Sequence, residues 1–323
     1  MFQKELGNAL ALVDVEENAF AGRPEREHSG DPVGSEKREV GPESILVDRR
    51  TTRQERGQRG GDGSVQHGAT VSWPSVSALK IERENDVLRI TLARPDSRNA
   101  FDAQLISELS QAFVDVGKAR AVVLAGEGAS FCAGADVDWM RASAGLSVEE
   151  NVADANAMRQ MFESIDNCPA PVVARVQGHA LGGGAGLVAA ADIPISARDT
   201  VFAFSEVKLG IIPAVISPFA LAKIGPGNAR RYFVTGERFD PETALRIGLV
   251  TEVADDLDAA VDRVVGELLS AGPRAARWAK RLVRERPDGP ETARWIAERR
   301  ASDEGQEGLS AFLEKRRPAW RPK

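Results

Sequence analysis

From Ser77 onward the chain alternates short apolar runs with amphipathic stretches. Leu79 and Ile81, then Val87, Leu88, Ile90 and Leu92, predict two strands joined by a hairpin turn over Glu84-Asn85-Asp86. Over 101–116, the residues Leu105, Ile106, Leu109, Ala112, Phe113 and Val116 recur at helical spacing. The run 121–125 is wholly apolar and predicts a short buried strand, ended by Gly126-Glu127-Gly128. A long helix is expected around 148–165, and strands at 171–176 and 193–197. A helix of small residues is expected near 184–191, and further helices at 241–248, 256–271, 273–286 and 290–314. Strands alternating with helices predict an α/β domain with a largely parallel sheet, followed by a helical C-terminal third.

The first 75 residues break this pattern. Arg-Pro-Glu-Arg-Glu-His at 23–28 and Arg-Gln-Glu-Arg-Gly-Gln-Arg-Gly-Gly-Asp-Gly-Ser at 53–64 are charged, glycine-rich and aperiodic. Such a segment buries too little apolar surface to offset its ordering entropy, so 1–75 is expected to be a disordered extension. The globular part divides into an α/β core over 76–270 and a helical C-terminal region over 271–323.

Composition narrows the function classes. Of 323 residues, 42 are Lys or Arg and 48 are Asp or Glu, a net charge of −6 that gives no bulk attraction to nucleic acid. No apolar run reaches the roughly 18 residues of a membrane span. Lys4, Glu5, Asp14, Glu16 and Glu17 interrupt any signal-peptide pattern at the start. The two cysteines, Cys132 and Cys168, cannot make a disulfide framework and lack metal-ligand spacing; a reducing cytoplasm is the expected compartment. The three histidines, His28, His67 and His179, suggest no metal site.

Three segments carry candidate chemistry. Ser-Phe-Cys-Ala-Gly-Ala-Asp-Val-Asp-Trp-Met (130–140) follows a strand and a glycine turn. Gln-Gly-His-Ala-Leu-Gly-Gly-Gly-Ala-Gly-Leu-Val (177–188) joins a strand to the small-residue helix. Phe-Ser-Glu-Val-Lys-Leu-Gly-Ile-Ile-Pro-Ala-Val-Ile-Ser-Pro (204–218) holds one carboxylate, Glu206, among mostly apolar residues. Consecutive glycines before a helix expose N–H groups that favour negative charge. Gly184-x-Gly186-x-x-Ala189 fits a dinucleotide fingerprint only formally, because Asp192 is far too close to serve as its acidic partner. No Gly-Lys-Ser or Gly-Lys-Thr is present for a phosphate loop. Glycines that serve only tight helix packing are an alternative reading of this segment taken alone.

Together these segments resemble the crotonase superfamily, the enoyl-CoA hydratase/isomerase family. The resemblance spans 78–321: Ala93-Arg94-Pro95-Asp96-Ser97-Arg98-Asn99-Ala100, then Phe-Cys-Ala-Gly-Ala-Asp, then Gly-His-Ala-Leu-Gly-Gly-Gly, and finally the tail from Glu307 to Pro318. It implies a spiral of ββα units with a helical C-terminal region that trimerises, giving homotrimers or dimers of trimers. It implies an acyl-CoA thioester as substrate, with coenzyme A part of that substrate and no separate cofactor. By position in the motifs, the backbone N–H groups of Ala135 and Gly183 would form an oxyanion hole for the thioester carbonyl, and Glu206 would be the catalytic carboxylate. Ala133, Asp136, Val137, Asp138, Trp139, Leu181 and Gly182 would line the substrate site with Ala100, while Arg98 and Lys315 would meet the coenzyme A phosphates. No nucleic acid or membrane partner is implied.

One departure bears on the reaction. The family's hydratases usually carry a second glutamate two residues after the glycine triplet, where this chain has Gly186. A lone carboxylate can still activate a water that supplies both OH and H across a 2,3 double bond. It can equally carry a proton from C2 to C4, as a Δ3,Δ2-enoyl-CoA isomerase requires. The segments 135–140 and 205–219 resemble hydratases of branched glutaconyl-CoA substrates, the methylglutaconyl and isohexenylglutaconyl types. Hydration is therefore the expected reaction, with isomerisation the alternative. Acyl-CoA hydrolysis or decarboxylation and a non-catalytic binding protein are lesser ones. Restoring a glutamate at Gly186 is expected to leave hydration intact or raise it. Phe202, Phe204, Val207 and Leu209 are expected to give Glu206 an apolar setting that disfavours its charged form.

Overall fold

The computed structural model describes residues 77–321. The disordered extension expected over 1–75 lies outside the described residues. Strands β1 (Leu79–Glu84) and β2 (Val87–Leu92) form the predicted hairpin, with Asn85 and Asp86 at φ 47° and 66° in the turn. Such left-handed pairs suit a two-residue connection between twisted strands, and Asn and Asp tolerate them. Then follow α1 (Ala103–Val114), β3 (Ala121–Gly126), α2 (Val137–Ser143) and α3 (Val148–Asp166). Next come β4 (Val172–Val176), β5 (His179–Leu181), α4 (Gly183–Ala190), β6 (Ile193–Ala197) and β7 (Val201–Ala203). The remainder is α5 (Ser217–Thr235), α6 (Pro241–Ile247), β8 (Glu252–Ala254), α7 (Leu257–Ser270), α8 (Pro273–Glu285), α9 (Gly289–Ala301) and α10 (Asp303–Leu313).

The main sheet runs β1-β2-β3-β4-β6-β8 and is parallel except for the β1–β2 hairpin. Both faces are covered at the central strands, which is why β3 and β4 read as largely apolar runs, whereas the edge strand β1 is exposed over most of its length. In β3, Val122 and Leu124 face the larger core, whereas Val123 faces α7 with Val173, Ile195, Val261 and Val265. The larger core holds Phe101, Phe113, Phe131, Phe162, Phe202 and Phe204, each almost wholly buried. A second, smaller layer pairs β5 with β7 in parallel and adds single bridges from Phe101 to Ala135 and from Cys132 to Ala180.

The helix expected over 290–314 is two helices. Ser302 ends α9 in an extended conformation, and its side chain accepts from the Gly305 N–H to start α10. A serine that bonds the backbone ahead of it competes with helix continuation, and the two glycines that follow, Gly305 and Gly308, weaken it further. Among the described residues no helix is long and apolar enough to cross a membrane.

Candidate active site

The second layer brings the three sequence segments together. The Ala133 N–H donates to the Arg98 carbonyl (3.0 Å), the Phe101 N–H to Gly134 (2.7 Å) and the Asp136 N–H to Phe101 (2.8 Å). On the other side, the Cys132 N–H donates to His179 (2.9 Å), Leu181 to Cys132 (3.1 Å) and Gly182 to Ala203 (2.8 Å). Residues 98–101, 131–136, 179–182 and 201–203 thus form adjacent rungs, and Glu206 follows directly in a 3₁₀ turn over Ser205–Leu209.

Glycines let these rungs close up. Gly134 has φ 96°, and a Cβ there would lie 2.9 Å from the Leu181 carbonyl oxygen and 3.9 Å from the Gly183 nitrogen. Gly182, at φ 51° and ψ −117°, precedes the first turn of α4, a backbone shape that a side chain resists. The N–H groups of Ala135 and Gly183 make no hydrogen bond among the described residues, and both residues are half-buried. Gly183 opens α4, so its N–H is one of the orphan donors at a helix start, where negative charge is favoured.

Glu206 sits against this loop. A Cβ on Gly182 would lie 3.4 Å from its Oε1. Its Oε2 is buried with no hydrogen-bond partner among the described residues. Burial pushes its carboxyl above the usual carboxylate range, outweighing its own backbone N–H, which favours the charged form. Of the apolar neighbours expected from the sequence, Phe202 and Phe204 are fully buried, but Leu209 is half exposed. The arrangement offers two free donors and one proton-accepting carboxylate on the same loop pair. Charge that develops on an oxygen bound to both donors would be stabilised by about 3 kcal/mol per donor, because fixed dipoles need no reorganisation.

Gly186, the departure from the family's catalytic position, is tightly enclosed. A Cβ there would lie 2.4 Å from Ile216 Cγ2 and 3.0 Å from Phe162 Cε1, and all three residues are buried. Ile216 and Phe162 fill the space, so a glutamate cannot enter without displacing them. The expectation that Gly186→Glu leaves hydration intact or raises it thus meets a packing cost at this position.

Of the other expected site residues, Arg98, Ala100, Ala133, Asp136, Leu181 and Gly182 lie in these rungs, and Val137, Asp138, Trp139 and Lys315 lie outside them. Asp136 caps α2: its Oδ1 accepts from Asp138 N–H (2.9 Å) and Trp139 N–H (3.3 Å), and its Oδ2 pairs with Arg94 (3.2 Å). Arg94 also pairs with Asp102 (2.9 Å). Asp138 is exposed and pairs with Arg141, and Val137 is exposed beside it. Trp139 is half-buried against the larger core, Ala100 is buried, and Arg98 and Lys315 are exposed. Cys132 is buried and its thiol is pushed up to about 12 by desolvation, which leaves it inert. Among the described residues no three His, Cys, Asp or Glu side chains gather as a metal site.

Sequence reasoning quoted Arg94 and Asn99 without giving them a role. Asn99 is fully buried; its Nδ2 donates to the Glu127 (2.9 Å) and Ser130 (2.8 Å) carbonyls and its Oδ1 accepts from Arg94 N–H (2.9 Å). It locks the 94–101 loop to the segment that leads into Ala135. Ile216 and Phe162 left no sequence signal beyond being apolar.

A family profile described as Enoyl-CoA hydratase/isomerase matches residues 82–323. The chain is 31% identical over 250 residues to a crotonyl-CoA hydratase of Syntrophomonas wolfei, covering 73% of this chain and 95% of that one. Among solved structures, an enoyl-CoA hydratase from Shewanella pealeana superposes with a TM-score of 0.72 at 40% identity, covering 76% of this chain and 97% of that one. Pseudomonas aeruginosa AtuE superposes with a TM-score of 0.73 at 36% identity, covering 76% and 100%. With a profile match over three quarters of the chain and relatives at this identity, the chain belongs to the enoyl-CoA hydratase/isomerase (crotonase) family.

Proposed function

We propose that this protein is an enoyl-CoA hydratase that adds water across the 2,3 double bond of an acyl-CoA thioester. In this reading the Ala135 and Gly183 N–H groups hold the thioester carbonyl oxygen. The Glu206 carboxylate takes a proton from water as the hydroxyl adds to C3, and negative charge moves onto the held oxygen as an enolate. The same carboxyl then returns the proton to C2, so one group serves as base and acid. The observation that carries the reading is the buried, unpartnered Oε2 of Glu206 beside the two free donors. Relatives named as hydratases support it.

A second reading follows from the filled space at Gly186. With no room for another carboxylate, Glu206 alone could move a proton between C2 and C4, as a Δ3,Δ2-enoyl-CoA isomerase does. The two are separated by incubating 2-enoyl- and 3-enoyl-CoA thioesters with the protein and weighing the products. Hydration adds the mass of one water. Unchanged mass with a shifted double bond would replace the hydratase reading by the isomerase one. A branched glutaconyl chain is supported by the resemblance of 135–140 and 205–219, but its second carboxylate needs a partner in the protein.

A further inference from the structure

Adding water to C3 asks for two contacts on that water: a base for one hydrogen and a second group that fixes the other. A water held by one contact can turn about it, and its lone pair then faces C3 only part of the time. Gly186, enclosed by Ile216 and Phe162, offers no side chain for the second contact. The residue beside Glu206 does. Ser205 is the first residue of the 3₁₀ turn that also carries Glu206.

Two oxygens converge on the bare side of Gly182. The Oε1 of Glu206 lies 3.4 Å and the Oγ of Ser205 3.6 Å from the point where a Cβ on Gly182 would stand, and apart from its chain neighbours no other residue comes as near. Gly182 directly precedes the Gly183 donor, so this hydroxyl stands on the same loop as the carboxylate and the donor. Ser205 is half-buried, and its hydroxyl makes no hydrogen bond among the described residues. A serine at the start of a helical turn commonly bonds the local backbone, as Ser147 and Ser302 do in accepting from the Glu150 and Gly305 N–H groups. Ser205 does not. A half-buried hydroxyl without a protein partner is met by water.

We infer that Ser205 is the second contact of the attacking water: its Oγ accepts one O–H while the Glu206 carboxylate accepts the other, which turns the water's lone pair toward C3. This rests on the hydratase reading proposed above and supplies what Gly186 does not. As the C–O bond forms at C3, the proton on the Glu206 side passes to the carboxylate. The C2–C3 π pair moves toward the oxygen held by Ala135 and Gly183. The hydrogen on the Ser205 side stays in the product hydroxyl, and Ser205 keeps its own proton throughout. The Glu206 carboxyl then returns its proton to C2, and one water has been consumed.

The test is the hydration of crotonyl-CoA by the parent, Ser205→Ala and Ser205→Thr, beside the affinity of each for butyryl-CoA by calorimetry. Butyryl-CoA has no double bond, so its binding is independent of the reaction. Ser205→Ala should lower kcat at least about tenfold, because a misplaced reactant costs that much or more. Its affinity for butyryl-CoA should stay within about twofold of the parent's, since the hydroxyl meets the water and not the thioester. Ser205→Thr keeps the hydroxyl and should stay within about threefold of the parent in kcat. The acidic limb of the pH–rate profile, which reports the ionisation of the carboxyl, should stay in place in Ser205→Ala. A Ser205→Ala protein as fast as the parent would overturn the inference and leave the hydratase reading standing. A slower one whose acidic limb has moved would overturn it too, because Ser205 would then act through Glu206 and not on the water. A parent that shifts double bonds without adding water would remove the hydratase reading, and the part given to Ser205 with it.

Discussion

Glu206 combines reactivity and cost in one side chain. Its Oε2 is buried without a partner, and burial raises the carboxyl above its ordinary range. A raised acid binds its proton more tightly in the folded than in the unfolded chain, so stability is full at low pH. It is lost as pH rises from the unfolded pKa through the raised folded one. Glutamine mimics the protonated acid and escapes this loss. Glu206→Gln is therefore expected to be more stable than the parent near neutral pH, with the gain vanishing as pH falls below the usual carboxylate range. The same change should cut turnover about a thousandfold, because Asp136, the other carboxylate on these loops, is engaged by the first N–H groups of α2 and by Arg94. Acyl-CoA binding should persist, since amide and acid share a shape. Thermal melts at two pH values beside a hydration assay check both halves. A variant that keeps more than about a tenth of the activity would show that another residue carries the proton.

At the scale of elements, the contact between α4 and the start of α5 fixes what the site can become. Ile216 stands before the first turn of α5 and occupies the side-chain space of Gly186. Forcing a glutamate into it combines overpacking, about 1–3 kcal/mol, with burial of a carboxylate among apolar groups. Gly186→Glu should therefore lose about 3 kcal/mol or more in a urea melt and gain no hydration rate. Adding Ile216→Ala opens the space and should recover part of the stability. A Gly186→Glu protein as stable as the parent, and faster, would show that the loop yields more readily than its packing indicates.

This contact also marks the limit of what the sequence discloses. The central strands β3 and β4 are buried on both faces, so their apolar runs stand out, and the glycine run and Glu206 are legible because their residue types are unusual in their settings. The short helix α2 has no buried residue, and α5 is bent at Gly225 and carries Pro226, so neither shows an unbroken apolar period. The strands β5, β7 and β8 have three residues each, too few for a period to register. Ile216 matters through its contact with Gly186 across space, which residue spacing along the chain does not record.

Across the whole molecule, the C-terminal helices meet the α/β core through a few polar ties. Arg120, at the entrance to β3, is nearly buried. It donates to the Trp320 carbonyl (2.8 Å), the Ala271 carbonyl (3.0 Å) and the Leu269 carbonyl, and so joins the end of α7 to the tail beyond α10. The Trp320 Nε1 donates to Ser270 (3.2 Å), Arg277 reaches the Ala119 carbonyl (2.9 Å), and Lys280 pairs with Asp192 (2.7 Å). A charged donor serving three carbonyls is hard to replace, because each acceptor left dry costs about 1–3 kcal/mol and a charged bond contributes more than a neutral one. Arg120→Met keeps the apolar stem and removes the donors. It should destabilise the fold by about 3 kcal/mol, partly offset where water reaches the freed carbonyls. It should also release the tail, which a brief trypsin digest reads as faster cleavage after Lys315 and Arg316. Lys315 lies on that tail, at a position expected to meet a coenzyme A phosphate. Loosening it should therefore raise the KM for an acyl-CoA severalfold while kcat stays near that of the parent, because Glu206 and the two free donors belong to loops that Arg120 does not touch. An unchanged KM in a variant whose tail is demonstrably cleaved faster would remove Lys315 from the binding surface. A fall in kcat instead would mean that the C-terminal region helps to hold the loops of the site in place.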